Sequence, residues 1–366
     1  MIPMVDIAAG HESLQADIEN AVSDVVRSGS FIGGPNVRAF EKEVADFLGV
    51  NHAISCASGT DALHLALLAA GVGPADEVIT TPFTFFATIE AIRYVGARPV
   101  FVDIDPRTFN LDVKRVEAAI TPATRAILPV HIFGQPVTME PLTRLARTHD
   151  LQLIEDCAQS FGARRGPGFT GTLGNAGCFS FFPTKNLGAC GDGGMITTNS
   201  AAMAEKLQPL CNHGSSKRNH HSQIGYNSRL DEMQAAILRI KLRRVNEANA
   251  ARARVAEWYR AGLSGLPGVE TPFVDPQGDH VYHQFTLLVP EALRENLIKS
   301  LAQAGVSTAI HYALPAYRQP ALGMGYQDVY LPVVESVTRR CLSLPMYPEL
   351  EQNKVDTIVE AVRRSL

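Results

Sequence analysis

An aspartate and a lysine stand on either side of a glycine-rich link in the middle of the chain. Asp156 ends the apolar run LIE, and Lys185 follows the run CFSFFPT. Aromatic and proline neighbours would desolvate the lysine amine, which disfavours its ammonium form and makes it a nucleophile. Strand neighbours alternate, so Glu155 is expected to face away from Asp156, with Gln159 within reach of the site. Taken alone, Lys185 is better explained as a surface lysine, so the remaining chain has to decide.

Three further features would complete a site around this pair. Ser58-Gly59-Thr60 lies between a predicted strand and a predicted helix, where free backbone N–H groups favour a phosphate. A simple helix cap explains these three residues equally well. Phe83, Phe85 and Phe86 follow the next strand, and one of them would stack on a planar ring while at least one belongs to the core. A nucleophilic amine, an aspartate, a stacking aromatic ring and a phosphate site together meet the needs of pyridoxal phosphate.

The elements that must position these residues alternate between strand and helix. Strands are predicted at His52–Ala57, Glu77–Thr81, Arg98–Ile104, Ala126–Val130 and Leu151–Glu155, and helices at Gly59–Ala70, Phe85–Tyr94, Asp112–Ile120 and Met139–His149. This alternation predicts an α/β fold with a mostly parallel sheet covered by helices on both faces. Ligands of such sheets bind beyond the carboxyl ends of the strands, where Ser58, Phe85 and Asp156 all fall.

The last third of the chain follows a different pattern. A long helix is predicted from Leu230 to Leu263, and a helix of this length commonly bridges two domains. We therefore expect a large α/β domain over residues 1–245 and a smaller α+β domain over residues 246–366. In the smaller domain, strands are predicted at Tyr282–Val289 and Val306–Tyr312, and helices at Glu291–Ala304, Pro332–Leu342 and Asn353–Leu366.

The composition excludes several classes of function. The 366 residues carry a formal net charge of -4 without a basic run, which argues against nucleic acid and gives no sign of a membrane surface. No apolar stretch reaches the ~18 residues of a membrane helix, and the N-terminus lacks a secretory pattern. Six cysteines without a CxxC pair predict reduced core thiols in a cytoplasmic protein. Eleven histidines form no HExxH or Cys/His cluster, so no metal site is expected.

Six ordered motifs extend this pattern over nearly the whole chain. They are SCASGTDAL (55–63), GVGPADEVITTPFTFFAT (71–88), PVFVDIDPRTFNLD (99–112), LIEDCAQSFGA (153–163), FSFFPTKNLGACGDGGMITTN (179–199) and GYNSRLDEMQAAIL (225–238). With them the chain resembles the DegT-type nucleotide-sugar aminotransferases, which belong to the fold-type I class of enzymes dependent on pyridoxal phosphate. The resemblance implies a mostly parallel, seven-stranded type of sheet with helices on both faces and a smaller α+β C-terminal domain.

The same resemblance assigns the cofactor residues. It implies that Lys185 binds the cofactor covalently as a Schiff base and that Asp156 contacts the pyridine nitrogen. It further implies that Gln159 contacts the ring hydroxyl and that Phe85 stacks on the ring. The phosphate would be held by Gly59, Thr60 and Ser180, joined by Asn227 of the partner subunit, which implies a homodimer with shared active sites. Some relatives carry histidine in place of this lysine and act as dehydratases, so Lys185 favours transamination, with L-glutamate as the amine donor.

Within the family, the segments SFFPTKNLG, HGSSKRNHH, GYNSRLDEMQAAIL and AIHY…QPAL are most similar to enzymes that aminate UDP-2-acetamido-2-deoxy-3-oxo-glucuronate. Arg229 and a loop with further cations suit the carboxylate and the diphosphate of such a substrate, although a solvated basic loop is the alternative. The loop cations are Lys217, Arg218, His220 and His221. His311 and Tyr312 are expected at the sugar. Ala313 and Tyr317 stand where relatives often have proline and histidine or asparagine.

Two other functions remain open from the sequence. One is an aminotransferase for a 3-keto or 4-keto 6-deoxy hexose linked to dTDP or UDP. The other is a non-catalytic relative that keeps the fold and acts as a regulator, against which the intact lysine, aspartate and glycine-rich segment argue.

Overall fold

The computed structural model describes residues 1–365. The helices are α1 (Ile7–Glu12), α2 (Gln15–Ser28), α3 (Pro35–Leu48), α4 (Gly59–Ala69), α5 (Ala87–Tyr94), α6 (Met139–Thr148), α7 (Ala201–Cys211), α8 (Glu232–Leu242), α9 (Val245–Leu263), α10 (Glu291–Gln303), α11 (Pro332–Arg340) and α12 (Gln352–Arg364). The strands are β1 (His52–Cys56), β2 (Glu77–Thr80), β3 (Arg98–Phe101), β4 (Thr124–Leu128), β5 (Gln152–Asp156), β6 (Arg164–Arg165), β7 (Gly168–Phe169), β8 (Ala176–Ser180), β9 (Gly194–Thr198), β10 (Ser215–Lys217), β11 (His220–His221), β12 (Phe285–Leu288) and β13 (Cys341–Leu344).

The centre of the molecule is a sheet of seven strands in the order β1-β9-β8-β5-β4-β2-β3. Six strands run in one direction and β9 runs against both of its neighbours. Helix α4 lies on one face, buried almost all round, while α3 and α8 cover Phe179 and Phe181 on the other. The prediction of an α/β fold with a mostly parallel, two-sided sheet is confirmed. The carboxyl ends of β1, β2 and β5 meet at one edge, as such sheets require.

A second, smaller sheet belongs to the C-terminal part of the chain. Strands β12 and β13 pair antiparallel, and α9, α10 and α12 pack with them around Tyr259 and Phe285, whose rings lie 4.8 Å apart. The N-terminal residues join this part: the N–H of Ile2 donates to the carbonyl of Gly305 at 2.7 Å. Asp103, which follows β3, accepts hydrogen bonds from the first N–H groups of α11. The sequence patterns did not predict either connection.

One predicted helix is absent. Of the stretch Asp112–Ile120, only Glu117–Ala119 form a short 3₁₀ turn. The carboxylate of Asp112 accepts from the N–H of Lys114 at 3.1 Å and from Nε of Arg115 at 2.9 Å. Aspartate side chains that bond to nearby backbone in this way compete with helix formation, so the local turn replaced the expected helix.

Other predicted elements differ in their bounds. The long helix divides at Arg243 and Arg244, because α8 packs on α2 and α3 whereas α9 packs on α12. The predicted strand Val306–Tyr312 forms only isolated bridges at Val306 and Ala309. The helix predicted to reach Leu342 ends at Arg340, where strand β13 begins. Helix α12 ends at Arg364, and the predicted end at Leu366 lies outside the described residues.

All six cysteines are free thiols, and five are buried as expected. The prediction was wrong for Cys190, which is exposed in the glycine-rich segment. Within residues 1–365 no helix has both the length and the apolar character needed to cross a membrane.

Candidate active site

Strand β5 ends in two carboxylates that face opposite ways, as the alternation of strand neighbours predicts. Glu155 is fully buried and accepts from the backbone N–H groups of Gly171, Leu173 and Gly174 at 2.9, 2.8 and 2.7 Å. It also lies 3.0 Å from Nε2 of His131. Every lone-pair direction of this carboxylate therefore has a partner within its own chain, and Glu155 serves the fold.

Asp156 is the less satisfied of the two. It is 4% exposed, and its oxygens accept from Thr88 Oγ1 at 2.8 Å and from the N–H of Ala158 at 3.1 Å. Thr84 Oγ1 lies 2.7 Å from Thr88 Oγ1, so the hydroxyl of Thr84 donates to Thr88. Burial raises the pKa of Asp156, while these two donors and the charge of Lys185 lower it. No cation contacts the carboxylate within the described chain, which leaves it available for a cationic partner.

Lys185 follows β8 in a tight turn, where its backbone N–H donates to the carbonyl of Phe182 at 2.9 Å. The turn requires glycine at position 188, because a Cβ there would lie 2.4 Å from the carbonyl oxygen of Pro183. Burial lowers the pKa of Lys185 to about 8, although the carboxylate of Asp156 raises it. A lysine near this value carries a useful neutral fraction close to physiological pH, as a nucleophile and general base must.

The start of α4 forms a cup beside this pair. Ser58 caps the helix, its Oγ accepting from the N–H of Asp61 at 3.1 Å. A Cβ at Gly59 would lie 2.6 Å from Cβ of Ser180, so only glycine lets the helix start approach β8 so closely. The first N–H groups of α4, at Gly59 and Thr60, have no intrahelical acceptor and lie next to the Ser180 hydroxyl. This arrangement suits a phosphate.

The aromatic side of the site is formed by Phe85 and Tyr312. Phe85 is 61% exposed and its ring centroid lies 6.5 Å from that of Tyr312, whereas Phe83 is fully buried, as expected for at least one of the phenylalanines. Gln159 donates through Nε2 to the Tyr312 hydroxyl at 3.0 Å and accepts from the N–H of Phe133 at 2.6 Å. The amide of Gln159 is therefore held rigidly next to the end of β5.

His311 is oriented by two hydroxyl groups that sequence patterns did not identify. Its Nδ1 lies 3.0 Å from Ser343 Oγ, which lies 2.9 Å from Thr286 Oγ1. Both hydroxyls are buried, so the arrangement in which Thr286 donates to Ser343 and Ser343 donates to Nδ1 leaves no hydrogen without an acceptor. Nε2 then carries the ring hydrogen. Burial and the charge of Lys185 lower the pKa of His311 to about 4, so the ring is neutral.

The segment from residue 213 to residue 229 touches the start of α4 through Ser228, whose hydroxyl accepts from the N–H of Ala57 at 3.1 Å and donates to Asp61 at 2.6 Å. Asn227 is exposed and pairs through its backbone with Asn212. Arg229 donates from Nη1 to Asn212 Oδ1 at 3.1 Å, and its Nε is buried without a partner in the described chain. The loop cations Lys217, Arg218, His220 and His221 are exposed. No hydrogen bond among the described residues brings Asn227 or Arg229 to Lys185 or Asp156.

The two departures from the family pattern have different positions. Ala313 is exposed next to Tyr312. Tyr317 is 3% exposed, and its hydroxyl donates to Glu335 at 3.0 Å. Its ring packs beside Phe101, with centroids 5.8 Å apart. Tyr317 is therefore a packing residue behind the site rather than a group that faces the sugar.

One cluster has the composition of a metal site. His131, Glu155 and Cys157 offer ligand atoms that lie within 4.8 Å of one another. The N–H of Val137 donates to His131 Nδ1 at 2.9 Å, so the ring hydrogen is on Nε2 and donates to Glu155. With both ring nitrogens and the carboxylate engaged, the cluster is a hydrogen-bond network within the core.

Comparisons with known proteins agree with this geometry. The model of the DegT/DnrJ/EryC1/StrS aminotransferase family matches residues 12–363. A UDP-N-acetyl-3-dehydro-alpha-D-glucosamine 3-aminotransferase from Acidithiobacillus ferrooxidans is 46% identical over 365 residues, covering 100% of this chain and 98% of that protein. A UDP-2-acetamido-2-deoxy-3-oxo-D-glucuronate aminotransferase from Pseudomonas aeruginosa is 42% identical over 362 residues, covering 99% of each. The crystal structure of S. venezuelae DesV in complex with a ketimine intermediate superposes with a TM-score of 0.96 at 42% identity, covering 99% of this chain and 98% of that one.

Three features of the site fit pyridoxal phosphate. The start of α4 lies close enough to Ser180 to form a phosphate site with it only because Gly59 lacks a Cβ. Each oxygen of Asp156 accepts a single hydrogen bond and keeps a lone pair for a protonated ring nitrogen, and Lys185 has an amine with a lowered pKa for the aldehyde. The cofactor is pyridoxal phosphate, and the chain belongs to the DegT/DnrJ/EryC1/StrS aminotransferase family.

Proposed function

We propose that this aminotransferase moves an amino group from L-glutamate to a UDP-linked 2-acetamido-2-deoxy-3-oxo sugar, with UDP-2-acetamido-2-deoxy-3-oxo-glucuronate as the first candidate. The observation that carries the proposal is the intact Lys185–Asp156 pair in a chain that matches two 3-oxo-sugar aminotransferases over nearly its full length. The unpartnered Nε of Arg229 supports an anionic substrate.

The described side chains divide the work of this reaction. The cofactor, when bound, supplies an electrophilic carbon and an electron sink. Asp156 keeps the ring nitrogen protonated. Lys185 Nζ would take the proton of the donor's amino-bearing carbon and release it at the other end of a 1,3-proton shift, because burial brings its pKa to about 8. His311, neutral with its hydrogen on Nε2, is a hydrogen-bond donor for an oxygen of the sugar.

Two chains would complete each site. The supports are exposed apolar side chains within the 213–229 segment, where Ile224 is 89% and Tyr226 39% exposed, and an exposed Asn227 that makes no hydrogen bond to Lys185 among the described residues. We infer a homodimer in which Asn227 of the partner subunit contacts the phosphate. The free thiols, five of them buried, support a reducing compartment such as the cytoplasm.

A turnover panel tests the activity. The purified holoenzyme is incubated with L-glutamate and nucleotide-linked keto-sugars that differ in oxidation at C6, keto position and nucleotide, and the amino-sugar is quantified by mass spectrometry. We expect fastest turnover with the 3-oxo-glucuronate, and Arg229→Ala should slow it far more than it slows 6-deoxy sugars. Fastest turnover of a dTDP 6-deoxy sugar would reject the substrate assignment. Turnover of none of them by a cofactor-loaded protein would favour a regulatory role.

A mixing experiment tests the shared site. Lys185→Ala and Asn227→Ala variants are each expected to be nearly inactive. After mixing and subunit exchange, one site of a hybrid dimer contains both native residues, so part of the activity should return. A mixture that stays inactive although subunits carrying two different affinity tags co-purify as hybrid dimers would exclude the contribution of Asn227 across the interface.

A further inference from the structure

A chamber of about 340 Å³ lies beside the active lysine, between the N-terminal segment and the joint of α8 and α9. Lys185 and Asn186 line one side, while Lys241, Arg252 and Glu349 line the others. Neither Lys241 nor Arg252 has a role in the cofactor site described above. The question is therefore what two cations do in a chamber bordered by the segment that carries the nucleophile.

Arg252 has one occupied end and one free edge. The residue is 4% exposed, and its Nη1 donates to the carbonyls of Tyr282, His283 and Met346 at 3.2, 3.5 and 3.0 Å. Its Nε is buried without an acceptor, and Nη2 makes no hydrogen bond to a described residue. Nε and Nη2 carry the two parallel N–H groups with which arginine binds a carboxylate side-on. The free edge therefore has the geometry of a carboxylate receptor.

The two cations of the chamber form no ion pair within residues 1–365, although Asp6, Glu247 and Glu349 also line it. Lys241 Nζ donates only to the carbonyl of Gly188 at 2.7 Å. Burial lowers the pKa of Arg252 to about 10, against the attraction of Glu349, so the guanidinium stays charged at neutral pH. A buried guanidinium with an N–H group that lacks an acceptor is costly, and an anion that contacts this free edge would reduce the cost.

We propose that the Nε–Nη2 edge of Arg252 binds a carboxylate of the dicarboxylic amine donor in this chamber, with Lys241 as a second positive charge. The inference rests on the proposed function, because that donor must bring its amino-bearing carbon to Lys185, whose segment lines the chamber. The cations suited to a diphosphate, Lys217 and Arg218, are exposed on another segment and do not line the chamber. Donor and sugar would thus use separate sets of cations.

Arg252→Lys separates the proposed role from a structural one. Lysine keeps a positive charge and donors for the three carbonyls but lacks the bidentate edge. In the first half-reaction of the holoenzyme, followed by absorbance with L-glutamate alone, we expect the half-saturating concentration to rise about tenfold or more. Glutarate binding, measured by calorimetry, should weaken similarly, while the half-saturating keto-sugar concentration in the second half-reaction stays unchanged. Lys241→Met should weaken glutarate binding less, and the exposed Arg243→Gln serves as the matched control.

Two results would overturn the assignment. If Arg252→Lys changes only the half-reaction with the nucleotide sugar, the oxyanion comes from the acceptor and not from the donor. If the variant instead lowers the midpoint of thermal unfolding but binds glutarate and L-glutamate as the wild type does, Arg252 only stabilises the packing of α9 through its hydrogen bonds to the three carbonyls. Failure of the proposed function is distinguishable, because it leaves the wild type inactive on every keto-sugar while glutarate binding still reports on Arg252.

Discussion

The two faces of strand β5 show how one sequence separates folding from chemistry. On one face, Glu155 receives three backbone N–H groups and the His131 ring, all from its own chain. On the other, Asp156 receives only Thr88 and one backbone N–H, and burial raises its pKa. Two adjacent and similarly buried carboxylates thus differ in how many hydrogen bonds they accept from their own chain. The unsatisfied one is available to a ligand, and the satisfied one ties the sheet to the 171–174 loop.

The largest effect is expected from Asp156→Asn, measured on turnover. Asparagine cannot hold a ring nitrogen in its protonated form, so the rate should fall about 100-fold to 1,000-fold, the scale of losing one preorganised electrostatic group. Stability of the cofactor-free protein should be equal or higher, because a buried carboxylate whose pKa is raised destabilises the fold at neutral pH. Thermal unfolding of the cofactor-free variant checks this, with the exposed Asp150→Asn as control. A strongly lowered melting temperature would show that Asp156 also serves the fold.

The opposite pattern is expected from Glu155→Gln. The glutamine amide has only one acceptor oxygen, and its NH₂ group would face backbone N–H groups that now donate to the carboxylate. Buried N–H groups would therefore lose their acceptor. We expect a loss of about 3 kcal/mol in the free energy of unfolding. Denaturant unfolding of the cofactor-free protein measures it, and turnover per folded holoenzyme should stay near that of the wild type. A variant that is stable but inactive would contradict the division between the two faces.

The sequence predicted the parts of the site that lie in continuous motifs. Asp156, Lys185 and Gly59 each stand at an end of a strand or the start of a helix, and parallel strands must bring such ends to one edge. The α/β sheet followed from the same alternation. What these residues touch locally, such as the Ser58 cap on α4, was also predictable.

The supporting residues were not predictable, because they reach the site only through tertiary contacts. Thr88 lies 68 positions from Asp156, and Ser343 lies 32 positions from His311. Ser343 sits in β13, whose first two residues were predicted as the end of a helix. The free edge of Arg252 follows from the carbonyls that its other end contacts. No pattern of residue types carries this information, since a threonine or arginine of this kind has the same surroundings in sequence as one in ordinary packing.

A smaller effect is expected from Thr88→Val, which leaves the Asp156 carboxylate with one hydrogen-bond donor fewer. The variant removes one of the two hydrogen-bond donors to the Asp156 carboxylate and leaves the hydroxyl of Thr84 without its acceptor. Cofactor affinity, measured by fluorescence titration, should fall about tenfold, the scale of a hydrogen bond to a charged group. Thr88→Ser should restore most of it. Thr84→Val should cost less, because Thr84 acts only through Thr88, and equal losses in the two valine variants would contradict the order of donors.

The smallest effect is a shift in the titration of Lys185. In the cofactor-free protein, reactivity of its amine toward trinitrobenzenesulfonate should rise with a midpoint near pH 8, because burial lowers the pKa to about 8 and only the neutral amine reacts. The charge of Asp156 raises this pKa, so Asp156→Asn should move the midpoint to lower pH, whereas Glu155→Gln should leave it unchanged. Mass spectrometry of the labelled peptide measures the modification, with the exposed Lys299 in the same digest normalising for reagent. If the midpoint moved in Glu155→Gln instead, the pKa of Lys185 would depend on the charge of Glu155. The two faces of β5 would then not be separated into a folding face and a chemical face.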